Sequence, residues 1–153
     1  MDSLLEHEYR LDDLMPLIRE SLAAGRSVRF SPRGVSMLPM LRQGRDSVRI
    51  SPAPEKLRKF DLPLYQRKNG QYVLHRVVDV GDTYTCIGDN QFVLERGIAH
   101  DQVIGVVTAC CRDGREIRVD APGYRLYCRL WHGFRPLRYF WRRLKGRVRR
   151  MLG

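Results

Sequence analysis

The chain has 153 residues, 43% of them hydrophobic, and a formal net charge of +11. This length fits one domain, and the apolar content excludes wholesale disorder. The charge is uneven, because residues 1–120 hold 18 basic and 17 acidic side chains while residues 121–153 hold 10 basic and no acidic ones. A nearly neutral body excludes a protein that wraps nucleic acid with its whole surface. Which partner the positive charge attracts is therefore a question about the C-terminal tail.

The cysteines and the N-terminus carry no metal or export signature. The four cysteines form no C-x-x-C pair, so neither a disulfide framework nor a zinc site is expected. Residues 1–10 contain three acidic side chains and lack the layout of a signal peptide, and no run of 18 apolar residues exists. We therefore expect a reduced, cytoplasmic protein without a metal or cofactor.

The pattern along the chain begins with one amphipathic helix, predicted over Leu11–Ala24 and ended by Gly25. Short strands follow, separated by turn signals such as Asn69-Gly70 and Gly81-Asp82. The predicted strands are Ser27–Phe30, Ser47–Ile50, Leu62–Arg67, Tyr72–Val80, Tyr84–Ile87, Val103–Cys110 and Glu116–Val119.

The tail from Tyr124 has helical spacing, with apolar residues every three or four positions and arginines between them. Gly133 and Pro136 divide it into two predicted helices. The chain thus divides into a helical lead over residues 1–26, a β-rich domain over 27–120 and a basic amphipathic tail over 121–153. The predicted fold class is mainly β, with a short N-terminal helix and a helical C-terminal tail.

Four sequence blocks stand in a specific order. They are Gly34–Leu41 with its Ser-Met-x-Pro string, Val73–Val78 with His75-Arg76-Val77, Ile87–Asn90 and Val103–Val107. Over residues 28–110 this ordered set resembles the type I signal peptidase family and its relatives, the self-cleaving repressor proteases. The resemblance implies their β-rich fold and a serine that attacks a peptide carbonyl. It is closest to the branch in which histidine replaces the lysine base.

The resemblance implies a role for each matching residue. Ser36 would be the nucleophile and His75 the base, which suits a histidine because its unperturbed pKa is about 6.5. An acid must orient the imidazole, and the candidates are Asp89 and Glu95. Asp89 is preferred because Glu95 stands where the histidine branch carries an aspartate.

The sequence departs from the family pattern around the nucleophile. The Ser36 backbone N–H is the natural first oxyanion donor. Many bacterial relatives supply a hydroxyl two positions before the nucleophile, where this chain has Gly34. The Gly-Asp pair that usually follows the nucleophile block becomes Gly44-Arg45-Asp46. A second oxyanion donor must therefore come from elsewhere.

The leading hypothesis is a serine endopeptidase that cleaves a leader or precursor peptide, without the family's usual N-terminal membrane anchor. The basic aromatic tail would hold the protein peripherally on an anionic membrane surface. Alternatives are an inactive peptide-binding or assembly module with the same fold, and a nucleic-acid binder acting through the tail, which is less favoured. The apolar side of the tail could also simply pack on the body. The sequence leaves the substrate and the oligomeric state open.

Overall fold

The computed structural model describes residues 11–151, so the interpretation of residues 1–10 lies outside the described part. Helix α1 (Leu11–Ala23) leads into nine strands, and helices α2 (Pro122–Gly133) and α3 (Arg135–Met151) complete the chain. The strands are β1 (Val28–Phe30), β2 (Ser47–Ser51), β3 (Pro63–Gln66), β4 (Tyr72–Leu74), β5 (Arg76–Val80), β6 (Tyr84–Ile87), β7 (Glu95–Ile98), β8 (Val103–Arg112) and β9 (Arg115–Arg118). The prediction of a mainly β protein is confirmed.

The strands form two antiparallel sheets. The large sheet has the order β1-β2-β8-β3-β4, with β9 also paired to β8, and the small sheet has the order β5-β6-β7. The long strand β8 is central because its apolar run pairs with β2, β3 and β9. Strand β4 therefore forms one edge of the large sheet.

The two sheets meet at His75. The sequence predicted one strand over Tyr72–Val80, and this prediction is wrong, because the chain leaves the large sheet at Leu74 and enters the small sheet at Arg76. Strand β7, which carries Glu95, was not predicted at all. A residue at such a crossing belongs to neither ladder, so its side chain can face the space between the sheets.

One apolar core joins the helices to the large sheet. Buried side chains of α1 and α2 pack with those of β1, β2, β3, β4 and β8. A second cluster joins the two sheets, since it contains Tyr65 of the large sheet together with Val77 and Cys86 of the small sheet. Helix α2 is thus part of the body, and helix α3 extends from its end.

Helix α3 has its apolar side turned away from the body. The apolar side chains on the outer side of α2 and α3, here called the outer stripe, are 39% to 60% exposed. The outer stripe consists of Leu126, Leu130, Phe134, Leu137, Phe140, Trp141, Leu144 and Val148. Arginines instead face the body, since Arg138 and Arg142 lie over the ring of Phe92. The apolar side of the tail therefore packs on the body along α2, through Tyr124, Tyr127 and Cys128, but not along α3.

The outer stripe continues across the junction of the two helices. The N–H of Phe134 donates to the carbonyl of Leu130, and the N–H of Arg138 donates to the carbonyl of Phe134. Hydrogen bonding of helical spacing thus bridges the junction, and the outer residues stay on one side of both helices. Within residues 11–151, no helix combines the length and apolarity that crossing a bilayer requires.

Candidate active site

Ser36 and His75 line the same cleft, which has a volume of about 210 Å³. One wall is the segment Gly34–Leu41, here called the serine loop, and the other is strand β4 at the edge of the large sheet. Arg67 and Gln91 also line the cleft. The structure thus brings together the two residues that the sequence placed at the centre of the chemistry.

The Gly88-Asp89-Asn90 turn holds the serine loop from behind. The backbone N–H of Asn90 donates to the carbonyl of Ser36 at 2.8 Å, and its side-chain amide donates to the carbonyl of Val35 at 3.1 Å. Gly88 is needed here because a Cβ at that position would lie 2.6 Å from the Ser36 carbonyl oxygen. This turn therefore fixes the backbone position of Ser36.

His75 is buried, with 4% of its surface exposed, and its two ring nitrogens have different surroundings. Nδ1 lies 3.5 Å from the Tyr65 hydroxyl and 3.7 Å from Oε2 of Glu95. Nε2 has no hydrogen-bond partner among the described residues, and it remains in contact with solvent. Within residues 11–151, no hydrogen bond joins Ser36 to His75.

Tyr65 connects His75 to the carboxylate. Its hydroxyl donates to Oε2 of Glu95 at 2.9 Å, which leaves the hydroxyl oxygen free to accept from an Nδ1–H of His75. This arrangement of Tyr65 and Glu95 favours the tautomer of His75 with the proton on Nδ1 and a lone pair on Nε2. The Tyr65 hydroxyl and the Glu95 carboxylate therefore both lie near Nδ1 of His75, at 3.5 and 3.7 Å.

The surroundings hold His75 neutral and Glu95 charged at neutral pH. Burial lowers the pKa of His75 to about 4, although the charge of Glu95 raises it. The pKa of Glu95 lies below its usual range because Arg67 donates two hydrogen bonds to it, each 2.8 Å long. The contact of 3.7 Å between them thus joins a neutral imidazole to a carboxylate. A neutral histidine can accept a proton, as a general base must.

Asp89 lies in a different cluster. It and Arg76 are both fully buried, and two nitrogens of Arg76 donate to its carboxylate at 2.8 and 2.9 Å. Tyr127 and His132 of α2 also hydrogen-bond the Asp89 carboxylate, at 2.9 and 3.0 Å. Burial opposes the charge of Asp89, but Arg76 and His132 outweigh it, and the pKa of Asp89 lies well below its usual range.

The structure therefore places Glu95, and not the preferred Asp89, beside the ring of His75. Asp89 instead ties together three parts of the fold, which are the start of β5, the turn behind the serine loop and helix α2. Its partner Arg76 follows His75 directly, so this ion pair fixes the backbone next to the candidate base. Asp89 thus contacts Arg76 and helix α2, and none of its hydrogen bonds among the described residues goes to Ser36 or His75.

Sequence reasoning missed Tyr65 and Arg67. The two stand two positions apart around the end of strand β3, and both contact Glu95. Their alternation was visible in the sequence, since residues two apart on a strand share a face. Nothing in the sequence indicated that Glu95 would lie opposite them, because strand β7 itself was not predicted.

The cleft also offers backbone donors for a developing negative charge. The N–H groups of Ser36 and Met37 donate to no described residue, and both residues line the cleft. Free amides beside a nucleophile can form an oxyanion hole. Within residues 11–151, no group of three or more metal-binding side chains is placed to hold an ion. Searches of family models, curated proteins and solved structures each found no match to this chain.

Proposed function

We propose that the protein is a serine endopeptidase of signal-peptidase type, with Ser36 as nucleophile and His75 as general base. One observation carries the proposal. Ser36 shares a cleft with a buried, neutral histidine whose Nδ1 faces a Tyr65–Glu95 pair. The resemblance of the four sequence blocks agrees with this assignment, and Glu95 takes the place of Asp89 as the orienting acid.

The proton movements follow from the tautomer of His75. On binding of a peptide, Ser36 Oγ attacks the carbonyl carbon while its proton moves to Nε2 of His75. The N–H groups of Ser36 and Met37 stabilise the oxyanion. His75 then gives the proton to the leaving amine, and an acyl-serine remains. Water, deprotonated by the same histidine, hydrolyses the acyl-serine and restores Ser36.

Strand β4 provides the place for an extended peptide. Tyr72, Val73 and Leu74 form the edge of the large sheet and also line the cleft. Such an edge has unpaired backbone groups, and a substrate strand can hydrogen-bond to them. A peptide bound there passes between Ser36 and His75, so its scissile bond reaches both residues.

Labelling with a fluorophosphonate probe tests the nucleophile. We expect the full chain to be labelled, the Ser36→Ala variant to lose labelling, and the Ser31→Ala variant to keep it, because Ser31 does not line the cleft. His75→Ala should lose labelling and the cleavage of a peptide library while remaining folded. Cleavage that survives in either cleft variant would contradict the mechanism. A folded wild type without labelling or cleavage would favour the non-catalytic peptide-binding module.

We further propose that the outer stripe docks on an anionic membrane surface. A helix with an exposed apolar side flanked by cations suits the boundary between headgroups and acyl chains. Residues 121–153 contain ten basic and no acidic side chains, and each cation near such a surface contributes about 1 kcal/mol. The orientation of α3 supports this proposal, since its apolar residues face outward.

Cosedimentation with phosphatidylglycerol vesicles tests the docking. Trp141→Ser with Leu144→Ser should weaken binding by about tenfold or more, whereas Leu17→Ser should not, although Leu17 is 62% exposed on α1. Equal binding by the stripe variant and by the Leu17 variant would contradict the proposal. Tighter binding to DNA or RNA than to vesicles across a salt titration would favour the nucleic-acid binder.

A further inference from the structure

A groove open to solvent runs along helix α3, and Phe92, just after the Gly88-Asp89-Asn90 turn, borders it. Its volume is about 880 Å³, and we call it the arginine cleft. Four arginines of α3 line it together with the rings of Phe92 and Tyr139. The four are Arg142, Arg143, Arg147 and Arg150. Among the residues that the structure describes, no acidic side chain lines the cleft, so it concentrates positive charge on the side of α3 that faces the body.

The guanidinium groups of the arginine cleft are available to a ligand. Within residues 11–151, none of the four arginines forms an ion pair with a carboxylate. Aromatic rings hold two of them, since Arg142 lies 5.4 Å from the Phe92 ring centre and Arg143 lies 5.7 Å from that of Tyr139. A cation placed over a ring keeps its N–H edge free for hydrogen bonds. The cleft therefore presents oriented, uncompensated donors that match carboxylates.

Two consecutive residues line the arginine cleft and the candidate active site, one each. Phe92 lines the arginine cleft, while the preceding residue, Gln91, lines the cleft of Ser36 and His75. Consecutive Cα atoms are about 3.8 Å apart, and an extended peptide advances about 3.3 Å per residue. A peptide seated at Ser36 can thus reach the arginines within a few residues.

We propose that the arginine cleft binds an acidic segment of the peptide substrate, a few residues from the scissile bond. This inference rests on the proposed peptidase function, because the occupant is argued from the cleft of Ser36 and His75. The chemistry needed is a run of glutamates or aspartates, whose carboxylates accept the paired N–H groups of arginine. Since the cleft is open to solvent, salt should weaken the interaction strongly.

Binding is measured on the full chain carrying Ser36→Ala, so that cleavage plays no part. The probe is rhodamine-labelled hexaglutamate, compared by fluorescence anisotropy with rhodamine-labelled hexaglutamine. We expect hexaglutamate to bind at least tenfold more tightly at low salt. The pair Arg142→Glu and Arg147→Glu should weaken its binding tenfold or more. The matched pair Arg129→Glu and Arg149→Glu changes the same net charge outside the cleft and should have less than a threefold effect.

Several outcomes would overturn the inference. They are equal binding of the two peptides, equal effects of the two arginine pairs, or binding to phosphatidylglycerol vesicles through Arg142 and Arg147 without binding of hexaglutamate. A library cleaved in a Ser36-dependent way without preference for nearby acidic residues would also overturn it. Binding of hexaglutamate with no cleavage of any library peptide would instead refute the peptidase function and support an acidic ligand for the cleft.

Discussion

The buried pair of Arg76 and Asp89 gives a prediction that separates a structural role from a catalytic one. Asp89→Asn removes the negative charge and leaves the Arg76 guanidinium, which is fully buried, without a counter-ion. Breaking a buried ion pair by neutralising one partner costs about 3–5 kcal/mol, a large part of a typical stability of about 5–15 kcal/mol. At about 2–4 °C per kcal/mol for a chain of this size, Tm should fall by roughly 6–20 °C.

Urea unfolding followed by circular dichroism, with a thermal scan, measures this effect. Asp113→Asn is the matched control, because Asp113 also pairs with arginines but its side chain is 63% exposed, and exposed pairs contribute about 0–1 kcal/mol. The combined change of Arg76→Met and Asp89→Leu should recover part of the loss, since it leaves no buried charge but takes the carboxylate away from Tyr127 and His132. A loss below about 1 kcal/mol for Asp89→Asn would refute the structural role.

The remaining predictions concern the cleft of Ser36 and His75. Tyr65→Phe removes the hydroxyl that contacts both Nδ1 of His75 and Glu95, so kcat should fall roughly tenfold to a hundredfold with little change in KM; an unchanged kcat would contradict a role of Tyr65 in orienting His75. Because burial lowers the pKa of His75 to about 4, kcat/KM should stay level as the pH falls below 6 and reach half its plateau near pH 4; a midpoint near the unperturbed 6.5 would contradict this burial effect. Gly88→Ala pushes a Cβ against the Ser36 carbonyl, and overpacking of this kind costs about 1–3 kcal/mol together with most of the activity, whereas Gly123→Ala has open space and should be neutral in both assays.

The fold class was predictable because the local signals were strong. Alternating apolar residues and turn dipeptides gave most strands to within a residue or two, and the three- and four-residue spacing of the tail gave both helices. The break at His75 was not predictable from Tyr72–Val80, since all nine residues suit a strand. Tertiary contacts decide it, as Arg76 turns inward to Asp89 while Leu74 stays paired in the large sheet.

The candidate site was predictable in part for a similar reason. Ser36 and His75 stand in sequence blocks whose order along the chain resembles that of the signal peptidase family. The acid could not be chosen in the same way, because the choice depends on which strand lies opposite His75. The sequence of strand β7 gives a weak strand signal, with Gly97 inside it at a positive φ of 75°, and yet this strand places Glu95 beside His75. Asp89 has the residue type that was expected, but it pairs with Arg76.

The pair of Arg76 and Asp89 also connects the proposed chemistry to the proposed location. The Asp89 carboxylate accepts hydrogen bonds from Tyr127 and His132, and its carbonyl accepts one from Trp131, so α2 is anchored directly behind the serine loop. Because hydrogen bonding continues from α2 into α3, the outer stripe has a fixed direction relative to the catalytic cleft. A membrane that holds the stripe would therefore hold the cleft in one orientation. Substrates emerging from that surface would meet Ser36 from the same side each time.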